Sequence, residues 1–462
     1  MIRGAEVVAL SSHTGWVEAV GGENMHRAVI TGLGMVTSLG QDAVTVWRRL
    51  LAGDNGITRI SAFDPSEYSC QVAAEVPELC GSARTGWDNY GNESGLRSIP
   101  SDYCRRGVQL FLKAAQEAHA DAGLDRMAMD PASVGVAAGG SVAYVDLDAL
   151  LEFYRLRRED GRDVDPALFA RHGSQPANTF CRRVGDLMTA VPAKKLGLAG
   201  PTAMMDTACA ASGHAIGHAF RLVQRGRVKA MLAGGGAALV GPISILYFAI
   251  LGALSRNPDP DQASRPFDRR RDGFVMGEGA GAVVIEELEH AKVRGARIYA
   301  ELAGFGSTMN AHNLTDPSPE GACEARTMDL ALQEAGLAPE SIDYVAAHGT
   351  STPKNDAIET AAIKKVFGDH ANRLIVSSNK GQIGHTLSAA AVCNLICAVK
   401  AIDDGCAPPT MHLNDPDREC DLDYIPNRRR PATIRAALAN SFAFGGQNAV
   451  LAVKAYYANG VS

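Results

Sequence analysis

The chain has 462 residues, 46% hydrophobic and 21% charged, with a formal net charge of −6. This is an ordinary globular composition with length enough for a large core, either two or three domains or one duplicated α/β unit. So mild an acidity gives no support to nucleic-acid binding.

Residues 1–24 carry Arg3, Glu6, Glu18 and Glu23 and lack the apolar run of a signal peptide, so they read as an N-terminal extension. Met25 immediately precedes the first convincing strand. "AVITGLG" (28–34) reads as a buried strand ending in a glycine turn. "QDAVTVWRRLLAG" (41–53) reads as an amphipathic helix with Val44, Trp47, Leu50 and Leu51 on one stripe and Gly53 as C-cap. The glycines of "TGLGMVTSLG" imitate a dinucleotide fingerprint, but Thr37 stands where the third glycine belongs, so a structural turn is expected. Residues 78–102 are polar and Gly/Ser-rich and read as a surface loop. Residues 152–173 are charge-rich and read as an exposed helical excursion.

Residues 230–255 contain no charged side chain, a run long enough to cross a bilayer. "GGG" at 234–236 and Gly241-Pro242 divide it into strand, turn and helix, all expected to be buried. No membrane partner is expected. The ten cysteines are scattered and fit neither a disulfide framework nor a zinc layout. They read as mostly buried free thiols of a reducing cytoplasm.

Strand, Gly-rich turn and helix alternate to the end of the chain, which signals α/β architecture with buried strands. Three stretches recur in order. "SVGVAAGGS" (133–141) echoes "YVAAHGTST" (344–352). "ACAASGHAIGHA" (208–219) echoes "NKGQIGHTLSAAA" (379–391). "KAMLAGGGAALVG" (229–241) echoes "RAALANSFAFGGQ" (435–447). Two similar halves are expected, joined near 290–300.

The stretch "DTACAASGHAIGHA" (206–219) holds Cys209, His214 and His218 within ten residues. It admits a metal site, a helix with two core histidines, or a nucleophilic cysteine. At a strand-to-helix joint the unpaired N–H groups and helix dipole favour a thiolate and can stabilise an oxyanion. Three other joints carry chemistry: His348 in "AAHGTSTPKND", Lys380 and His385 in "SSNKGQIGHTLSAAA", and the loop "NSFAFGGQN". In a doubly wound sheet such strand ends gather at one crevice.

Six motifs in order carry a resemblance: "VITGLGMVTSLG", "GPTAMMDTACAAS", "SRPFDRRRDGFVMGEGAGAVVIEE", "AAHGTSTPKND", "SSNKGQIGH" and "NSFAFGGQNA". The chain resembles the β-ketoacyl-acyl carrier protein synthases, elongating condensing enzymes of type II fatty acid and polyketide systems, from about residue 25 to 456. The resemblance implies a thiolase-like α/β fold of two pseudo-symmetric halves layered α-β-α-β-α. Residues 25–295 would carry the nucleophile, and 296–462 the His/Lys/His set and gating loop.

By resemblance, Cys209 is the acylated nucleophile. His348 and His385 bind the malonyl thioester carbonyl and stabilise the enolate left by CO2 loss. Lys380 holds the charge balance, with Glu359 as its partner and Asp356 as an acidic neighbour. The N–H groups of Cys209 and Phe444 form the oxyanion hole. Phe444 gates the acyl pocket, with Gly445 and Gly446 beside it as flexible points, and Phe248 lines that pocket. His214 and His218 become structural, and no metal or protein-bound cofactor is expected. Substrates would arrive on the phosphopantetheine of an acyl carrier protein, which the arginines of "DRRRD" (268–272) could meet. A homodimer is implied, with the alternative of a heterodimer with a chain-length-factor-like homologue.

The bottom-up chemistry agrees. Carbon–carbon bond formation needs a covalently held acyl electrophile and a carbon nucleophile made without a strong base, so one Cys and two His fit better than a hydrolase. Complete catalytic residues disfavour a non-catalytic subunit, and the Cys/His/His set disfavours a thiolase. Ala443, Gln447, Gly381 and the "AAA" at 389–391 depart from the common pattern. They favour a specialised polyketide or polyene synthase over a housekeeping fatty-acid elongase.

Overall fold

A computed structural model describes residues 25–77, 106–126, 129–140 and 187–457, with the single residues 154, 165 and 167. The extension 1–24 and the expected loop 78–102 lie outside the described residues, as does the excursion 152–173 apart from those three.

Ten strands form one mixed sheet. They are β1 (Ala28–Thr37), β2 (Val134–Gly139), β3 (Thr202–Met205), β4 (Ala230–Ala237), β5 (Gly279–Glu287), β6 (Ala300–Met309), β7 (Tyr344–Ala346), β8 (Ile375–Ser377), β9 (Ala436–Phe442) and β10 (Gln447–Lys454). Their order is β8-β7-β9-β10-β6-β1-β5-β4-β2-β3. Read inward from each edge, the halves are β3-β2-β4-β5-β1 and β8-β7-β9-β10-β6, the same order twice. The pairings repeat as well. β2 runs parallel to β3 and β4, and β7 parallel to β8 and β9, whereas β4–β5 and β9–β10 are antiparallel. The halves join where β1 meets β6.

Helices cover both faces of each half. Among them are α1 (Ala43–Ala52), α2 (Arg106–Asp121), α3 (Ala211–Gln224), α4 (Pro242–Ile250), α5 (Ala322–Ala335), α6 (Pro353–Phe367) and α7 (Ala390–Asp404). α2 and α5 pack on the outer faces, and α3 and α7 touch each other between the halves. α7 is apolar almost all round, with eleven buried residues, which suits a helix packed between the two halves of the sheet. This is the expected layered, doubled α/β fold.

The "TGLG" glycines lie inside β1, which continues to Thr37, and not in a turn. Their use is close packing. A Cβ on Gly34 would stand 2.0 Å from the Ala114 carbonyl of α2, and one on Gly306 of β6 would stand 2.0 Å from the Thr327 carbonyl of α5. The same device thus serves the first strand of each half.

α1 runs from an Asp42 cap to Gly53 in the left-handed region. Its buried stripe is Ala43, Val46, Trp47 and Leu50, and Val44 points outward, 76% exposed. Val44 precedes Trp47 by three positions, but its place in the first turn leaves it outside the packed face.

The uncharged run 230–255 is strand, turn and helix. Its strand is buried, yet Leu246, Tyr247, Ile250 and Leu251 around α4 are exposed, against the expectation of burial. Among the described residues no helix is long and apolar enough to cross a membrane.

Candidate active site

Four functional segments leave the C-terminal ends of β3, β7, β8 and β9. Cys209 lies in a short turn, Ala208–Ala210, directly before α3. Ala208 sits at φ 46°, and its counterpart before α7 is Leu387 at φ 47°. The turns therefore match Cys209 with Ser388. The echo that aligned Cys209 with Lys380 is displaced, because Lys380 begins a separate one-turn helix. The Ser441 hydroxyl donates to the Cys209 carbonyl at 2.7 Å and fixes the nucleophile turn from β9.

Cys209, His348 and His385 meet at the floor of a partly open cleft of about 290 Å3. His385 Nε2 lies 3.1 Å from the Cys209 sulfur. The two imidazoles face edge to face with centroids 5.3 Å apart. Leu387 N–H donates to His385 Nδ1 at 3.2 Å, so the His385 proton belongs on Nε2. His348 Nδ1 is buried without a partner.

The Cys, His and His donor atoms lie within 4.8 Å of one another, close enough to raise the question of a metal. Nε2 of His385 carries its proton toward the sulfur, so it offers a donor where a metal needs a lone pair. His214 is not part of this group. Its two nitrogens meet Thr207 Oγ1 at 2.8 Å and Ser307 Oγ at 2.9 Å, and its ring stands against Phe305. His214 is thus held structurally, as the resemblance implied for it, while His348 and His385 face the sulfur.

Burial pushes the Cys209 thiol up to about 11. The Lys380 charge and the N–H groups of Phe444 and Cys209 oppose the rise without cancelling it. The expected resting thiolate is therefore corrected to a thiol, since desolvation outweighs the joint's positive potential. The two N–H groups assigned to the oxyanion hole are thus near enough to the sulfur to favour its charged form. Burial and Lys380 hold both His348 and His385 well below the usual imidazole value, so both are neutral near pH 7.

Lys380 is buried, and its ammonium donates to the His348 carbonyl. Burial brings it down to about 8, against the pull of Glu359. Glu359 is not its hydrogen-bond partner. The Glu359 carboxylate instead accepts the N–H groups of His348 and Gly349, both at 2.8 Å, and the Asn440 amide at 3.0 Å. Those donors hold the His348 loop and occupy the carboxylate. Asp356 accepts from Phe267 and Ser351 N–H and lies 3.7 Å from Arg271. Arg271 is thereby buried and unavailable to a partner. Arg269 and Arg270 pair with Asp415 and Asp268.

Phe444, Gly445 and Gly446 form the turn between β9 and β10. Gly445 at φ 81° and Gly446 at φ 79° supply the left-handed backbone. Ala443 is extended at φ −114°, so the departure from glycine there costs this conformation nothing. Phe248 belongs to an apolar cluster with Cys209, Ile245, Leu254 and Leu387. Phe274 completes the wall, its ring edge-on to both Phe248 (5.6 Å) and His385 (5.2 Å). Sequence reasoning missed Phe274, Asn440 and Ser441, although each lies within a motif already singled out.

Residues 25–291 match the Beta-ketoacyl synthase N-terminal domain, and residues 299–414 match the C-terminal domain. The chain belongs to the β-ketoacyl synthase family. It is similar to the 3-oxoacyl-[acyl-carrier-protein] synthase 2 of Coxiella burnetii, 41% identical over 92% of this chain and 97% of that protein. The Synechocystis synthase of the same name is 39% identical over 93% and 98%. Among solved structures, a type II PKS ketosynthase in complex with its acyl-carrier protein superposes with TM-score 0.80 at 33% identity, covering 94% of this chain and 100% of that one. The ishigamide ketosynthase/chain length factor gives 0.79 at 33%, with the same coverage. This β-ketoacyl synthase is accordingly an acyl-transferring condensing enzyme.

Proposed function

We propose that this chain catalyses the decarboxylative Claisen condensation of a Cys209-bound acyl group with malonyl-acyl carrier protein. The observation that carries the reading is the buried floor where Cys209 Sγ, His385 Nε2 and the His348 ring meet. Acyl transfer comes first. Cys209 gives up its proton, its sulfur attacks the carrier thioester, and the carrier leaves as a thiol. The N–H groups of Cys209 and Phe444 hold the oxyanion.

A malonyl thioester then enters. Its carbonyl oxygen accepts from neutral His385, whose proton faces the reacting space, and His348 stands beside it. Loss of CO2 leaves an enolate held by those donors. Its carbon attacks the Cys209 thioester and expels the cysteine sulfur, giving a 3-oxoacyl thioester on the carrier. No step needs a strong base, a metal or a protein-bound cofactor. Cys209→Ala should abolish condensation; continued elongation by that variant would refute the assignment.

The partner is an acyl carrier protein delivering phosphopantetheine thioesters in the cytoplasm, and the assembly is a homodimer. The curated relatives support fatty-acyl elongation. The two ketosynthases solved with a carrier or a chain length factor, and the departures at Gly381 and Gln447, support a specialised polyketide or polyene pathway, which is the finer reading proposed here. A stable homodimer that elongates alone would exclude an obligate heterodimer. A preference for plain saturated chains of every length would exclude the specialised pathway.

A further inference from the structure

The mouth of the cleft carries a charged pair that the condensation chemistry does not use. Lys354 is the second residue of α6, and Asp316 lies in the loop between β6 and α5. Their side chains meet at 2.7 Å, and both residues line the cleft whose floor is Cys209. The Lys354 side chain is 66% exposed and that of Asp316 35%. So wet an ion pair contributes little stability and exchanges readily.

The Asp316 loop is also tied to the gate. Asn310 N–H donates to the Gly446 carbonyl at 2.8 Å, and Gly445 N–H donates to the Leu314 carbonyl at 2.7 Å. The Asn310 amide donates to the Asp316 carbonyl at 3.3 Å. Residues 310–316 thus connect Lys354 on one wall to the Phe444–Gly446 turn on the other. Among the described residues lining this cleft, Lys354 is the one lysine or arginine.

We propose that Lys354 receives the phosphodiester of the incoming phosphopantetheine arm and exchanges Asp316 for it. The inference rests on the carrier-borne substrate proposed above. A thioester placed at Cys209 leaves the arm's phosphodiester, at its opposite end, toward the mouth. A phosphate oxygen replaces a carboxylate oxygen on the same ammonium, so the cation stays paired throughout. Asp316 is released in the exchange, and the loop that holds Gly445 and Gly446 loses its ion pair to α6 as the arm seats.

The test is equilibrium titration of the full chain with 4′-phosphopantetheine and with pantetheine, which lacks the phosphate. The wild-type chain should bind the phosphorylated arm roughly tenfold more tightly, as expected for an added charge-assisted contact. Lys354→Ala should erase that preference and leave pantetheine affinity in place, and Lys354→Arg should retain it. Asp316→Asn should tighten binding of the phosphorylated arm by removing the competing anion. Equal affinities in the wild-type chain, or a Lys354→Ala that weakens both ligands alike, would overturn the proposal. The titration involves no turnover. A chain that shows the preference yet forms no 3-oxoacyl product would refute the condensation reading alone.

Discussion

His385 turns its Nε2 toward the Cys209 sulfur at 3.1 Å while Leu387 N–H occupies its Nδ1. The peptide bond two residues on thus sets which nitrogen carries the proton. The left-handed Leu387 is part of that setting, because the turn before α7 delivers its N–H back to the imidazole. His385 is built to donate.

Removing that donor should affect the two half-reactions unequally. His385→Ala should slow malonyl decarboxylation by about 10²–10³-fold, the usual loss for one oxyanion donor. Acyl transfer to Cys209 should fall much less, since the Cys209 and Phe444 N–H groups serve that step. Single-turnover acylation and CO2 release measured separately will check this. Equal losses in both would mean that His385 mainly supports the sulfur.

The thiol and the lysine give a linked pH signature. Cys209 sits at about 11 and Lys380 at about 8. Alkylation of Cys209 by iodoacetamide should rise about tenfold per pH unit from pH 6 to 8, because the thiolate fraction rises in that proportion. Above about pH 8 the slope should weaken, since Lys380 loses the charge that favours thiolate. Lys380→Met should react more slowly below that pH and show no bend. A wild-type plateau reached by pH 7 would contradict the thiol resting state.

Phe248 should limit the acyl chain. It is 9% exposed and lies edge-on to Phe274, which itself backs His385. Phe248→Ala should extend the acyl groups accepted on Cys209 to longer chains, with a stability loss of about 3–5 kcal/mol. Competition between medium and long acyl carriers, read by intact mass, will measure the shift. An unchanged chain-length profile would remove Phe248 from the pocket wall.

Much of this was legible in the sequence, for identifiable reasons. The motifs at 206–211, 346–356, 377–391 and 440–448 each lie at the C-terminal end of a strand, so strand ends sufficed to place Cys209, His348, Lys380, His385 and Phe444 around one crevice. The doubled topology showed as three echoes in order. What was not legible depended on competition between neighbours. The resemblance implies Glu359 as the partner of Lys380; its charge does act on Lys380, but its hydrogen bonds go to two loop N–H groups and Asn440. The Cys209 thiol was expected to ionise from its place at a helix start, but the depth of its burial is a property of the assembled halves. Val44 fitted the helical period and still faces solvent, because the packed stripe of α1 is centred on Val46 and Leu50.

The most direct test follows the mass of Cys209 itself. Incubation with an acyl carrier should add one acyl group, located at Cys209 by peptide mapping. Addition of malonyl carrier should then discharge it, releasing CO2 and a 3-oxoacyl carrier in equal amounts. Label that appears on another residue, or an acyl group on Cys209 that malonyl carrier cannot discharge, would contradict the account.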